Sequence, residues 1–140
     1  MKREIKFRAW DDLNKKWLLG YEYPNLGGFS MMGEIMAFGE YQHMLSSFSL
    51  EDWDKIKLMQ FTGLHDKNGK EIYEGDILFD KEIKAKCIVV FGQFETLTND
   101  WGEKETSPKF CVQWSDKSGY SEIDIDNEII GNIYQNLDLL

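Results

Sequence analysis

The sequence has 140 residues, of which 42% are apolar and 14% aromatic, and its 16 basic and 25 acidic side chains give a net charge of -9. This composition can bury a core, and it excludes a disordered tail, a collagen-like fibre, a membrane protein and a disulfide-knotted toxin. Residues 1–70 carry 10 basic and 10 acidic residues, whereas residues 71–140 carry 6 and 15. The negative excess therefore lies entirely in the second half.

Targeting and cysteine signals indicate a cytoplasmic protein. The first residues are basic, but the apolar stretch of a signal peptide does not follow them, and no apolar run reaches the length of a membrane span. Cys87 and Cys111 lie in apolar segments typical of buried strands. We interpret them as small core side chains, with a bridge or a reactive thiol as the alternative.

The first half of the chain begins with a predicted β-hairpin. Residues 4–10 alternate, with Ile5, Phe7 and Ala9 on one face, and a polar turn leads to a return strand at residues 17–19. Glycines interrupt residues 24–49, which favours short strands and turns. Leu50 to Lys57 is predicted to form one short helix of about two turns, because acidic residues favour a helix N-terminus.

The second half reads as a series of short strands. Asn68 and Gly69 predict a tight two-residue hairpin turn in which both residues have positive φ, and Gly75 predicts a bend. The polar segment from Thr96 to Lys109 is predicted to be a long mobile loop. The predicted strands are Leu58–Thr62, Ile72–Phe79, Lys84–Phe91, Phe110–Trp114, Tyr120–Ile125 and Glu128–Tyr134.

These elements predict an all-β fold, dominated by about eight short strands with one short helix. An N-terminal hairpin or small sheet comes first, and a second β-rich half follows it. We expect a single domain over residues 1–140, with a subdivision into two β lobes, about 1–57 and 58–140, as the alternative.

Three segments carry a family resemblance: Arg3 to Asp11, Leu58 to Ile77 and Ile129 to Asn136. With them the chain resembles the YopX family, small proteins of phages and prophages with no assigned biochemical activity. The resemblance implies a β-rich fold with an SH3-like barrel in the second half, and a phage-encoded protein in the cytoplasm of a bacterial host. It transfers no catalytic residue.

The residues of this signature are interpreted as structural, because turn geometry can require most of them. For Glu74 and Asp76 a functional carboxylate pair is the alternative to a bend at Gly75. The signature residues are Thr62, Gly63, Asp66, Asn68, Gly69, Glu74, Gly75, Asp76, Gly131 and Asn132.

No motif in the sequence predicts a catalytic, metal or cofactor site. His43, His65, Cys87 and Cys111 lack the close pairwise spacing of zinc ligands. The carboxylates at 100–105 and 122–128 are interpreted as a solvated acidic face, and no glycine-rich phosphate loop is present. We therefore predict neither an enzyme nor a cofactor.

A basic segment with interleaved aromatics is the candidate interaction surface. It comprises Arg3, Lys6, Arg8, Trp10 and Trp17, residue types that can grip nucleic acid. The alternative is that the cations guard an exposed edge strand while the aromatics pack inward. The acidic second half could mimic a nucleic-acid backbone, or it could serve solubility alone.

Three hypotheses of function follow. The first is a non-catalytic module that binds its own copies, or a host or phage protein. The second is a regulator directed at nucleic acid, through the basic hairpin or by acidic mimicry. The third is a hydrolase of unrecognised type, which would need carboxylates that converge in a cleft.

Overall fold

The structure is a computed structural model that describes residues 4–19, 28–29, 35–36, 53–97 and 101–140. Within these residues the regular structure consists of antiparallel strands and two short 3-10 turns, Trp53–Lys55 and Leu137–Leu139. The predicted all-β class is confirmed. The strands are β1 Phe7–Asp11, β2 Lys16–Leu19, β3 Gly28–Phe29, β4 Ile35–Met36, β5 Ile56–His65, β6 Glu71–Tyr73, β7 Asp76–Asp80, β8 Ala85–Leu97, β9 Lys104–Trp114, β10 Tyr120–Ser121 and β11 Glu128–Asn132.

The chain divides into two compact units at the middle of β5, after Gln60. In the N-terminal unit, β1 pairs with β2 on one side and with the first half of β5 on the other. The predicted N-terminal hairpin is therefore present, but β1 is a central strand. The interpretation of this segment as an edge strand guarded by cations is wrong, since Arg8 is only 4% exposed.

The C-terminal unit contains a five-stranded antiparallel sheet in the order β10-β9-β8-β7-β11, and the second half of β5 pairs with β6. The sheet curls as a half-barrel. Both cysteines are buried and unbridged, as expected for core side chains. The buried core comprises Ile72, Leu78, Cys87, Val89 and Val112, against which Trp114, Ile123 and Ile129 pack.

The predicted helix at Leu50 to Lys57 is wrong where the structure describes it. Only a single 3-10 turn lies at Trp53–Lys55, and β5 begins at Ile56, two residues earlier than expected. Residues 50–52 lie outside the described residues. Pairing of Ile56 with Asp11 and Lys57 with Trp10 on β1 outweighs the local helical signal, as tertiary context often does.

The predicted long loop from Thr96 to Lys109 is also wrong. Strand β8 continues to Leu97 and β9 starts at Lys104, so only residues 98–100 lie outside the described residues. The two strands pair without a break from Cys87 and Trp114 to Leu97 and Lys104. The polar composition of this segment reflects two solvated strand faces, and its threonines suit the extended backbone.

Two further elements differ from the prediction. The strand expected over Tyr120 to Ile125 ends at Ser121, because the chain turns where the Asp124 carboxylate accepts the Asp126 N–H at 2.9 Å. In the turn between β5 and β6 only Gly69 has a positive φ, of 80°. The turn therefore has three residues, between Asp66 and Lys70, which hydrogen-bond at 2.8 Å.

Residues 24–49, for which short strands and turns are predicted, are described only at β3 and β4, which pair with each other through Gly28 and Met36. This agrees with the short strands predicted there. Within the described parts of the chain, no helix is long and apolar enough to cross a membrane.

Candidate interaction surface

The signature around Asp66 forms a hydrogen-bonded anchor. One carboxylate oxygen of Asp66 accepts the Asn68 and Lys70 N–H groups, both at 2.9 Å, and the other accepts the Ile129 N–H at 3.1 Å. Burial alone would raise the pKa of Asp66, but these three N–H groups hold it below its ordinary value. Asp66 thus ties the hairpin turn to β11.

Thr62 and Gly63 shape the strand before this turn. The Thr62 hydroxyl donates to the Ile72 carbonyl at 2.8 Å and accepts the Leu64 N–H at 3.1 Å. Gly63 has a φ of 86°, and the β5–β6 register shifts between Phe61 and His65. The pair therefore forms a bulge, where glycine supplies the required conformation.

The segment Glu74, Gly75 and Asp76 is a bend between β6 and β7. Gly75 has a φ of 83°, its N–H donates to the Val89 carbonyl at 2.8 Å, and its carbonyl accepts the Ile133 N–H at 2.9 Å. The fully buried Asp76 carboxylate accepts the Tyr73 N–H at 2.8 Å. This geometry favours the structural interpretation of the segment over a carboxylate pair open to a substrate.

The C-terminal signature is a second anchor. The Asn132 amide oxygen accepts the Tyr134 and Gln135 N–H groups, both at 3.0 Å. A side chain at Gly131 would lie 2.5 Å from the Asn136 amide oxygen, which itself accepts the Asn132 N–H. Glycine is required at 131 by this close approach.

Of the five candidate residues of the N-terminal segment, the four that the structure describes do not form an exposed basic surface. Arg3 lies outside the described residues. Lys6 pairs with Glu4 at 2.9 Å, and Arg8 is buried with its guanidinium 4.9 Å from the Trp17 ring centre. Trp10, only 3% exposed, packs edge-on against Trp17 at 5.1 Å. Arg8 and Trp10 thus belong to the packing of the N-terminal unit.

The remaining candidate chemistry is limited. Burial raises the pKa of the Cys87 thiol to about 12, and burial also raises that of Cys111, so neither thiol is nucleophilic at neutral pH. Glu122, Asp124 and Asp126 are exposed, whereas Glu128 pairs with Lys67 at 2.9 Å. In the described ranges no three His, Cys, Asp or Glu side chains are placed to hold a metal ion.

A projecting hairpin is the feature that sequence reasoning missed. The pairing of β7 with β8 ends at Ile88, and that of β10 with β9 ends at Val112. Beyond these points β8 and β9 pair only with each other among the described residues. We call residues 90–97 and 101–111, which comprise these two strand segments and the three residues that precede β9, the arm.

The arm exposes aromatic side chains. Trp101, next to the turn that joins its strands, is 91% exposed, and Phe91 is 50% exposed and packs on Phe110 with ring centres 4.9 Å apart. On the other face, Phe94 stacks on Tyr120 at 4.8 Å. The sequence signal that could have revealed the arm is the pair Phe91 and Phe110 together with the alternate pairing of threonine and glutamate, Glu95 with Thr106 and Thr96 with Glu105, across a glycine-containing segment.

The fold and the arm define the class: an all-β protein with a half-barrel sheet from which an aromatic hairpin extends. The chain belongs to the YopX family, since the family model for "YopX protein" matches residues 6–140. The predicted family resemblance is confirmed.

One solved structure extends the comparison over nearly the whole chain. The crystal structure of protein EF1440 from Enterococcus faecalis is similar, with a TM-score of 0.60 and 23% identity over 99% of both chains. This similarity supports the fold alone. A search of curated proteins found no significant match.

Proposed function

We propose that this chain is a non-catalytic protein-interaction module whose contact surface is the arm. The observation that carries the proposal is the set of solvated aromatics on it, above all Trp101 and Phe91. Aromatic residues are enriched in protein interfaces and supply most of the binding energy there. The family also suggests a phage or prophage protein that works in a bacterial cytoplasm, with its own copies or a host or phage protein as the partner.

Two observations support this choice of function. The buried, hydrogen-bonded state of Asp66 and Asp76 accounts for the most specific signature residues without a reaction. The high pKa of Cys87 disfavours thiol chemistry. Among the described side chains of the arm, only Cys111 belongs to the buried core, so the length and the aromatics of the arm call for another explanation.

The test compares arm variants with a matched surface variant. Trp101→Ser and Phe91→Ser remove aromatics from the arm, whereas Ile83→Ser removes a 61% exposed apolar side chain from the β7–β8 turn. Self-association is measured by sedimentation velocity, and partner retention by affinity capture from host lysate. We expect the arm variants to weaken association at least about tenfold, since losing a central aromatic costs about 2 kcal/mol.

The control variant Ile83→Ser should associate as the unchanged protein does. If the unchanged protein stays monomeric and retains no partner, or if both arm variants associate normally, the arm is not the contact surface.

Direct nucleic-acid binding stays a prediction with less support. The prediction of nucleic-acid binding depended partly on Arg8 and Trp10, but both side chains are buried. Lys15 forms an ion pair with Asp12 at 2.7 Å. Exposed Lys16 remains available. Retardation of DNA or RNA at low salt that Lys16→Glu abolishes would revive this function.

A further inference from the structure

The outer edge of β8 in the arm presents a row of backbone groups. The Val89 carbonyl points away from β9, because it accepts the Gly75 N–H at 2.8 Å. Inward and outward residues alternate along an antiparallel strand, so the N–H and carbonyl groups of Phe91, Gln93 and Glu95 also point outward. Among the described residues no strand pairs with this edge.

The two edges of the arm differ in their protection. Edge strands are normally guarded by proline or lysine against pairing with other chains. The β9 edge carries Pro108 between Lys104 and Lys109, whereas residues 91–97 of β8 contain neither proline nor lysine. Their one charged residue, Glu95, is paired within the chain to Lys104 at 3.1 Å. The β8 edge is therefore both weakly charged and unguarded.

We propose that the occupant of this edge is a second copy of the chain, whose β8 pairs antiparallel with the first across a two-fold axis. This inference rests on the proposed function and names the partner of the arm. A strand that pairs with its own copy forms a closed, self-complementary interface, and it extends the β8–β9 ladder into a sheet of four strands.

Backbone pairing selects one register. Hydrogen-bonded pairs must join outward residues of both copies. If the two-fold axis passes through Phe94, Phe91 pairs with Leu97 and Gln93 pairs with Glu95, which gives about eight hydrogen bonds. An axis through Gln93 or Glu95 gives fewer hydrogen bonds. This register also sets Glu95 opposite Gln93, so no like charges face each other. Phe94 of one copy lies opposite Phe94 of the other.

A proline substitution tests the backbone pairing. Gln93→Pro removes an outward N–H at a position whose cross-strand partner is already proline, Pro108, so the arm itself should tolerate it. Gln93→Thr keeps the N–H and is the matched control. By sedimentation equilibrium we expect a dimer for the unchanged chain and for Gln93→Thr, and at least about tenfold weaker dimerisation for Gln93→Pro. A Gln93→Pro protein that is folded by circular dichroism and still dimeric overturns the proposal.

A cross-link tests the register even if the proline variant fails to fold. Phe94→Cys places two thiols opposite each other, within the distance that a disulfide spans. Oxidised glutathione should then link the copies, being itself reduced as the two thiols lose two electrons and two protons. Cysteines placed by Gln93→Cys lie diagonally about 7–8 Å apart and should not link. Buried Cys87 and Cys111 provide little background. Linking of Gln93→Cys in preference to Phe94→Cys contradicts the register.

The results separate this inference from the proposed function. If the unchanged chain is monomeric, yet Trp101→Ser abolishes retention of a different protein, the second-copy proposal fails and the arm remains the contact surface. If it is monomeric and retains nothing, both fail.

Discussion

At the scale of single residues, five aspartates build turns in this chain. In each case the carboxylate accepts backbone N–H groups two or three residues ahead, which is how aspartate closes a local turn. In two of these turns a lysine four residues after the aspartate, Lys15 or Lys84, takes a positive φ near 54° or 53°. The aspartates that act this way are Asp11, Asp66, Asp80, Asp116 and Asp124.

Asp66 differs from the other four because its carboxylate also binds a distant strand, β11, through the Ile129 N–H. Asp66→Asn removes the charge that three N–H groups bind and introduces an NH₂ group beside those donors. We expect a loss of about 2–4 kcal/mol in the free energy of unfolding, measured in urea. Asp124→Asn is the control, since Asp124 is exposed and accepts a single N–H. Equal losses for the two variants would show that Asp66 is no anchor.

The pH dependence of this contribution has a defined sign. The pKa of Asp66 is lowered in the folded chain from its ordinary value of 3.8, because its hydrogen bonds outweigh the opposing effect of burial. The stabilisation is therefore complete above that value and is lost as the pH falls through the folded pKa. The stability of Asp66→Asn should fall less steeply below about pH 4.

At the scale of elements, the sequence predicted those turns and strands whose conformation is determined by neighbouring residues. The turn at Gly69 and the bend at Gly75 follow from backbone conformations that few residues adopt, although the first turn has three residues and not the predicted two. The Trp10–Trp17 hairpin follows from alternation around a polar turn. The helix at Leu50 to Lys57 failed because pairing between β1 and β5 joins segments about 45 residues apart. A local sequence pattern does not indicate which distant segment a strand pairs with.

The arm shows the same limit for the candidate site. Alternation predicts a strand when one face is buried, but both faces of the arm are at least partly solvated, so residues 96–109 read as a polar loop. Conversely, both interpretations of the N-terminal segment placed Arg8 in solvent, because basic residues are mostly exposed. The buried guanidinium over Trp17 overturned that assumption.

Because the part of the arm beyond Gly92 and Lys109 lies outside the core, that part should be removable. Replacing residues 93–108 by Asn-Gly joins Gly92 to Lys109, a cross-strand pair of the arm, through a turn that Asn-Gly favours. The core of Ile72, Leu78 and Cys87 is untouched, so the thermal unfolding midpoint should fall by no more than a few degrees. Replacing residues 77–80 instead removes a core strand and should abolish folding. Loss of cooperative unfolding in the shortened-arm variant would mean that the arm is part of the folding unit.

At the scale of the whole molecule, the charge is distributed unevenly. Residues 61–140 carry 8 basic and 16 acidic side chains, a net charge of -8, whereas residues 1–60 carry 8 and 9, a net charge of -1. Two copies that meet through the C-terminal unit therefore repel each other at long range. An assembly formed by the basic N-terminal hairpin of one copy on the acidic surface of another would instead be held by attraction.

The two assemblies respond to salt in opposite directions. Screening at about 0.15 M salt acts beyond about 8 Å, compared with about 30 Å at 0.01 M. Pairing through backbone hydrogen bonds along β8 should thus tighten as salt is raised between these values, because screening removes repulsion and leaves the hydrogen bonds intact. Sedimentation equilibrium at several salt concentrations in this range measures how the dissociation constant of the dimer depends on salt. A variant with Asp124→Asn and Asp126→Asn removes two of the negative charges outside the arm, so its dimerisation should depend less on salt. Dissociation with rising salt would place the contact at the basic hairpin instead of the β8 edge.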